Sequence, residues 1–466
     1  MGRTGIVRGS GPVTWITPVG YRARMTDTPD AARAPAPHRR VHQGEWPAVA
    51  ISFLYFFCVL AAYYMIRPVR EQLSAAVGST QLPWFYGATF ACMVLLAPVF
   101  GAVVSRWPRH IVVPLFNLAG IACLLAFVPF FADPTLLSQR TLGIVFFVWV
   151  SVFNLFVVSL FWIFMTDIWN AEQARRLFPI IAVAGTAGAV AGPSLTRGLV
   201  QVMGVAPLLV VSASLLGIAV ACVVWLGRWA RAHAHLRPDQ AGGEAVGGGM
   251  WDGIKQIFAT PFMRNMALLL LLADGIGTVN YALVTDYSHQ AFVDQVMRTR
   301  FAANVDLATN LVTVTTQLLL TRWMLPRYGA GVVLTMWAIG GIAMLLLVML
   351  VPDAHAPLIG GMPAVALALI VTRGLAYGMA EPARHSLFAK APRVMRFKGQ
   401  NVVDTAVWRF GDLAIASGMN LLRSAGATVG TFAAISATSA LVAGTIGWRL
   451  SKLTGERLAD SMRPDH

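Results

Sequence analysis

The sequence predicts an all-α, polytopic membrane protein with 12 transmembrane helices in two six-helix halves. Three observations carry that reading. The 466 residues are 57% hydrophobic and only 12% charged, whereas an ordinary globular chain is about a quarter charged. Mean hydropathy is +0.64, and the apolar residues gather into many runs of about 20, the length that crosses a hydrocarbon core of about 30 Å. Lys and Arg concentrate in alternate loops between those runs, as a multi-span topology requires. A water-soluble enzyme and a single-span anchored domain are both excluded.

The elements follow in chain order. Residues 1–46 hold Arg3, Arg8, Arg22, Arg24, Arg33, Arg39 and Arg40 among scattered Pro, Gly and Ala. That composition predicts a disordered basic tail, and with no apolar h-region it does not read as a cleaved signal peptide. Met25 is an alternative start. Windows of about 20 residues place helices near 47–66, 82–104, 111–132, 141–166, 177–203 and 205–227, within a first half spanning 47–227. Residues 228–256 form a linker with Arg228, Arg231, His233, His235 and Arg237, then a Gly-rich run. Its end, Trp251–Phe258, is a short amphipathic piece suited to the membrane surface. Six further helices fall near 263–287, 301–323, 330–351, 363–381, 402–423 and 427–448, within a second half 257–450, and 451–466 is a second tail.

Net charge is +15, which in a soluble chain points to nucleic acid. Here the cations occupy short loops, so the lipid bilayer is the expected partner and nucleic acid is not. With loops assigned alternately, 27 Lys and Arg share a side with both termini. Seven fall opposite: Arg67, Arg70, Arg140, Arg197, Arg298, Arg300 and Arg423. This bias predicts both termini in the cytoplasm of a bacterial inner-membrane protein, expected as a monomer. Cys58, Cys92, Cys123 and Cys222 each stand alone in an apolar run. Neither a disulfide, a metal site nor a cofactor is expected.

The halves echo each other. Ala62-Tyr63-Tyr64 matches Val279-Asn280-Tyr281, Ser105-Arg106-Trp107 recurs as Thr321-Arg322-Trp323, and Gln173-Ala174-Arg175 recurs loosely as Pro382-Ala383-Arg384. Matches in this order fit the duplicated halves of a transporter. In the fifth span, Ala184, Gly188 and Gly192 recur every four residues before Pro193, a spacing that lets helices approach closely. His289 and Asp294 have the His-x4-Asp spacing of membrane acyltransferases, but without a second motif the match is coincidence.

Charge inside the spans is the sharpest functional signal, because an unpaired ion in hydrocarbon is costly. Arg67-Pro68-Val69-Arg70-Glu71 closes the first span, Asp274 lies in the seventh with Asn280, Tyr281 and Asp286 beyond it, and Asp306 enters the eighth. Arg373 and Glu381 are eight apart in the tenth, roughly on one helix face. Arg409 and Asp412, three apart in the eleventh, can pair.

The loop Gly101-Ala-Val-Val-Ser105-Arg106-Trp-Pro-Arg109-His110 resembles the major facilitator superfamily loop after the second helix, with Ser105 and Pro108 departing from its Asp and second Gly. Arg67-Pro-Val-Arg-Glu71 resembles the first-helix signature of that superfamily's bacterial nucleotide (ATP/ADP) translocase-like branch. Asp167-Ile-Trp-Asn-Ala-Glu-Gln-Ala-Arg-Arg-Leu-Phe178 is similar to the same branch, as is Lys398-Gly-Gln-Asn-Val-Val-Asp404-Thr-Ala-Val-Trp-Arg409-Phe-Gly-Asp412. The resemblance covers about 47–450 and implies the major facilitator fold, with the first, fourth, seventh and tenth helices lining the transport path. Exchangers of that branch use lysines in the translocation region, whereas Lys255, Lys390, Lys398 and Lys452 all fall outside the spans here.

These readings point to a secondary transporter of a small anionic solute, nucleotide-like or another organic anion, with a coupling proton or counter-substrate as a further partner. Arg67, Arg70, Asp274, Asn280, Tyr281, Arg373 and Arg409 are the candidate substrate-binding residues, since guanidinium suits carboxylate and phosphate. Arg106, Arg109, Asp167, Arg322, Arg327, Glu381 and Asp412 are the candidates for coupling and gating. In an outward-open state Asp167 is expected near Arg106 or Arg109, and Glu381 near Arg322 or Arg327. A proton-driven exporter of drugs or metabolites is the alternative within the class. A receptor, scaffold or membrane enzyme is the alternative outside it, though no compact acid–base or nucleophile set marks an enzyme. Reporter fusions at His235 and Pro352 should report opposite sides of the membrane, and a periplasmic signal at His235 would overturn the topology.

Overall fold

The first helix, α1 (Trp46–Val77), runs about three turns past its expected end near 66. It carries Arg67, Pro68, Arg70 and Glu71 inside the bundle rather than at an interface. In the computed structural model, residues 43–133, 135–232, 260–389 and 407–461 are described. The expected N-terminal tail up to residue 42, most of the linker with Trp251–Phe258, the basic run 390–406 and the last five residues lie outside them.

The first half continues through α2 (Leu82–Arg106), α3 (Arg109–Ala132), α4 (Gln139–Ile168), α5 (Ala171–Met203) and α6 (Ala206–Ala232). The second half begins with α7 (Pro261–Ala291) and α8 (Gln295–Thr316). A π turn, Gln317–Thr321, then leads without a break into α9 (Arg322–Leu350). The apolar stretch Gln295–Leu350 is 56 residues long. At 1.5 Å per residue it measures about 84 Å, far more than one crossing. Gly329, at φ 78°, divides it. That left-handed conformation is nearly free to glycine and costly to other residues, so one glycine turns the eighth crossing into the ninth. A short hairpin (β1 Pro357–Ile359, β2 Met362–Pro363) precedes α10 (Ala364–Leu375), a second π turn (Ala376–Ala380) and α11 (Glu381–Ala389), which together make the tenth crossing. The eleventh and twelfth are α12 (Trp408–Ser424) and α13 (Val429–Ser461).

Backbone groups in hydrocarbon must be satisfied within the chain, which leaves helices as the natural spanning element here. Large apolar side chains such as Leu95, Leu319 and Ile339 point outward, as a lipid-facing surface demands. Between helices, packing replaces the hydrophobic effect. The face of α5 bearing Gly188 and Gly192 lies directly on α1. A Cβ at Gly188 would come 2.6 Å from the Phe57 carbonyl oxygen, and one at Gly192 would come 2.8 Å from that of Ala61. Thr196 and Ser212 donate to the carbonyls of Met65 and Ala62, at 2.8 and 3.0 Å, and fix the register of α1 against α5 and α6. Replacing Gly188 with Leu should therefore destabilise the detergent-solubilised protein by at least about 1–3 kcal/mol. Gly198→Ala, with open space around its Cα, serves as control, and equal melting temperatures for the two variants would contradict this packing.

Candidate functional site

A cavity of about 340 Å³ opens between the halves, within the size range of small-molecule sites. The first, fourth, seventh and tenth crossings line it, joined by Tyr86 of α2, Trp337 of α9 and Trp408, Arg409 and Asp412 of α12. Its deep end holds Arg67, Arg70, Tyr281 and Arg373. Toward the side of both termini it reaches Glu381, Arg384 and Trp408.

Arg67 is buried and lies 3.5 Å from Asp306 of α8 and 3.7 Å from Glu71, one turn along its own helix. Arg70 pairs with Glu71, donates to Ser151 of α4 at 3.3 Å and rests 4.6 Å over the Phe147 ring. Tyr281 donates to Glu71 and lies 2.7 Å from the Ser74 hydroxyl. A single network thus joins α1, α4, α7 and α8. The sequence marked each of these charges as anomalous without showing that they meet. Placing Arg67 and Arg70 at the outer end of the first span is corrected accordingly, because their paired charges allow the helix to continue through the bundle.

Arg373 is different. Its guanidinium lies 5.5 Å over the Tyr281 ring, and among the described residues it has no ion-pair partner. Asp274 does not neutralise it: Asp274 sits against α12, with Oδ2 3.9 Å from the Cβ position of Gly411. That oxygen is buried without a hydrogen-bond partner among the described residues. Arg409 pairs with Asp412 at 3.3 Å, and Asp412 also accepts from Thr278 at 2.8 Å. Asn280 is turned away from the cavity, with its Nδ2 3.4 Å from the Thr372 hydroxyl. It belongs to the packing of α7 on α10, because one residue's step rotates a helical side chain by about 100° and sends Tyr281 to the cavity instead.

Glu381 pairs with Arg384 and lies 3.2 Å from His385. It does not meet Arg322 or Arg327: Arg322 is exposed, and Arg327 stacks over Trp323 and Tyr328 at 5.4 and 5.9 Å. Arg384, counted in a loop from sequence, is only 3% exposed. Eight α-helical residues would set Arg373 and Glu381 about 80° apart, and the extra residue held by the π turn reduces this to about 20°. Arg109 pairs with Asp167 at the terminal side of the first half, while Arg106 is exposed and makes no ion pair among the described residues.

The opposite side is held by contacts between the halves. Arg423 pairs with Asp286 at 2.6 Å and donates to the Ser79 hydroxyl, the Ser79 amide donates to Asp286 at 3.1 Å, and Asn420 donates to the Thr80 carbonyl at 2.8 Å. His289 Nδ1 lies 2.8 Å from the Ala75 carbonyl. At mid-depth the halves also meet through the Arg67–Asp306 pair, the Tyr281 contacts with Glu71 and Ser74, and Asn310, which donates to the Ala189 carbonyl at 2.6 Å.

This architecture is shared with solved transporters. No protein-family model and no curated protein matches the chain. A mutant form of the nucleoside transporter NupG matches with a TM-score of 0.61 and 14% identity, over 88% of this chain and 100% of its own. A bacterial homologue of the iron transporter ferroportin, inward-facing, gives 0.58 and 13% over 87% and 98%. A bacterial homologue of the human lysosomal transporter Spinster, inward-facing and unoccupied, gives 0.53 and 13% over 91% and 100%. The chain has the twelve-helix, two-half fold of major facilitator transporters.

Removing one partner of a buried pair strands the other charge, at a cost of roughly 3–5 kcal/mol, whereas a solvent-exposed pair contributes about 0–1 kcal/mol. Asp306→Asn should therefore lower thermal stability far more than Asp167→Asn, whose pair with Arg109 is a third or more exposed. Equal shifts in melting temperature would refute the Arg67–Asp306 pair as an anchor.

Proposed function

We propose that this protein is a secondary transporter that moves a small organic anion across the bacterial inner membrane by alternating access, with both termini in the cytoplasm. The observation that supports this most is Arg373, a cation without an ionic partner among the described residues, held in a cavity between two helical halves. Intramembrane charges are normally paired, and an entering carboxylate or phosphate would complete the pair with charge-assisted hydrogen bonds. Arg67, Arg70 and Arg409 act around it through their own ion pairs, and Tyr281 holds the Arg373 guanidinium by its ring face.

Asp274, with a buried unpartnered oxygen, is the candidate for a coupling proton. That group also keeps the proton-driven exporter as a second reading. Asp167 and Glu381, here paired within their own halves with Arg109 and Arg384, are the candidates for gating on the side of the termini when that side closes. The polar contacts around Ser79, Asp286 and Arg423 close the other side, so this arrangement corresponds to an inward-facing state. The motifs resembling the nucleotide-translocase-like branch make nucleotides one class to test.

The test is a thermal-shift screen of the purified protein with nucleotides, inorganic phosphate and organic anions, repeated with Arg373→Gln. At least one anion class should raise the melting temperature of the native protein. The variant should lose that response while its ligand-free stability holds. An unchanged anion response in Arg373→Gln would overturn the assignment.

A further inference from the structure

We propose that the solute carries a single negative charge on a planar aromatic frame, as an aromatic carboxylate does. The proposal rests on the anion-transport reading above and narrows it by charge and shape.

The charge argument is a matter of pairing. Five arginines line the cavity: Arg67, Arg70, Arg373, Arg384 and Arg409. Four are already met by carboxylates of the chain, Arg67 by Asp306 and Glu71, Arg70 by Glu71, Arg384 by Glu381 and Arg409 by Asp412. Arg373 alone has no ionic partner among the described residues. A monoanion neutralises it and disturbs nothing else. A nucleoside di- or triphosphate brings several charges and must open ion pairs that are largely buried, each of which then leaves an uncompensated carboxylate behind. An abundance of arginine in the cavity is thus not an abundance of free positive charge.

The shape argument comes from the walls. The Arg373 guanidinium is already seated on the Tyr281 ring at 5.5 Å, which orients its plane before a solute arrives and lowers the ordering cost of binding. Tyr64, Tyr86 and Tyr377 also line the cavity, and their hydroxyls have no hydrogen-bond partner among the described residues. Aromatic faces prefer offset or edge-on contact with another ring, and the free hydroxyls can meet a polar ring edge. At about 340 Å³, the space lies at the small end of ligand sites. That suits one or two fused rings bearing one carboxylate.

Isothermal calorimetry on the purified full-length protein tests this with four probes: naphthalene-2-carboxylate, its fully saturated decahydronaphthalene analogue, ADP and ATP. The two carboxylates share charge and approximate size and differ in aromaticity. Naphthalene-2-carboxylate should bind at least tenfold tighter than the saturated analogue and tighter than either nucleotide. Arg373→Gln should weaken it more than tenfold, and Arg373→Lys, which keeps the charge but loses the planar fork, should weaken it less than Arg373→Gln does. Tighter binding of ADP or ATP would overturn the single-charge inference and leave anion transport standing. Equal binding of the two carboxylates would overturn the aromatic frame. Binding of none of the four would overturn this inference and leave anion transport to the wider screen, whereas wild-type binding by both variants would overturn this inference and the Arg373-based anion reading together.

Discussion

The ion pair between Arg67 and Asp306 is the constraint on which the centre of this protein depends. It ties α1 of one half to α8 of the other at mid-depth, 3.5 Å apart and nearly sealed from solvent. Neither charge is tolerable there without the other. Glu71 extends the pair to Arg70 and to the Tyr281 hydroxyl, and Tyr281 in turn lies under Arg373. The order of these contacts gives Arg373 its special position. The four carboxylates nearest the other cavity arginines are already engaged, so the remaining cation stands over a ring instead of beside an acid.

Much of the fold was legible in the sequence, because a hydrocarbon solvent imposes long apolar runs and alternating basic loops on any chain that crosses it many times. What hydropathy misread shares one physical origin: it scores each charge as if it stood alone. Arg67, Pro68, Arg70 and Glu71 read as the end of the first span, yet α1 continues to Val77, since the compensating Asp306 lies far along the chain. Arg384 read as a loop cation for the same reason, although Glu381 one turn earlier allows it to be buried. Asn280 and Tyr281 were equally attractive as ligands, and only the rotation of α7 separates a packing residue from a cavity residue. The repeat-related Tyr64 and Tyr281 were visible as an echo, and both line the cavity.

The tenth crossing shows how local backbone irregularity serves the site. Its π turn at Ala376–Ala380 leaves carbonyls out of α-helical register, and the eighth crossing supplies donors to neighbouring ones: Thr313 to Gly374 at 3.4 Å, Gln317 to Tyr377 at 3.2 Å and Thr321 to Gly378 at 2.6 Å. The last two donors belong to the eighth crossing's own π turn, so two irregular segments satisfy each other where lipid could not. Gly374 and Gly378 make the approach possible, because a Cβ at either would meet Val312 or Thr316 within 2.9 Å. The extra residue held in this turn is what rotates Glu381 and its partner Arg384 into the cavity that Arg373 enters from above. The placing of the Glu381–Arg384 pair relative to Arg373, and the close approach of the tenth crossing to the eighth, therefore depend on one stitched turn. A regular α-helix through the same sequence would rotate the Glu381–Arg384 pair by about 100° relative to Arg373, away from the face that Arg373 presents to the cavity.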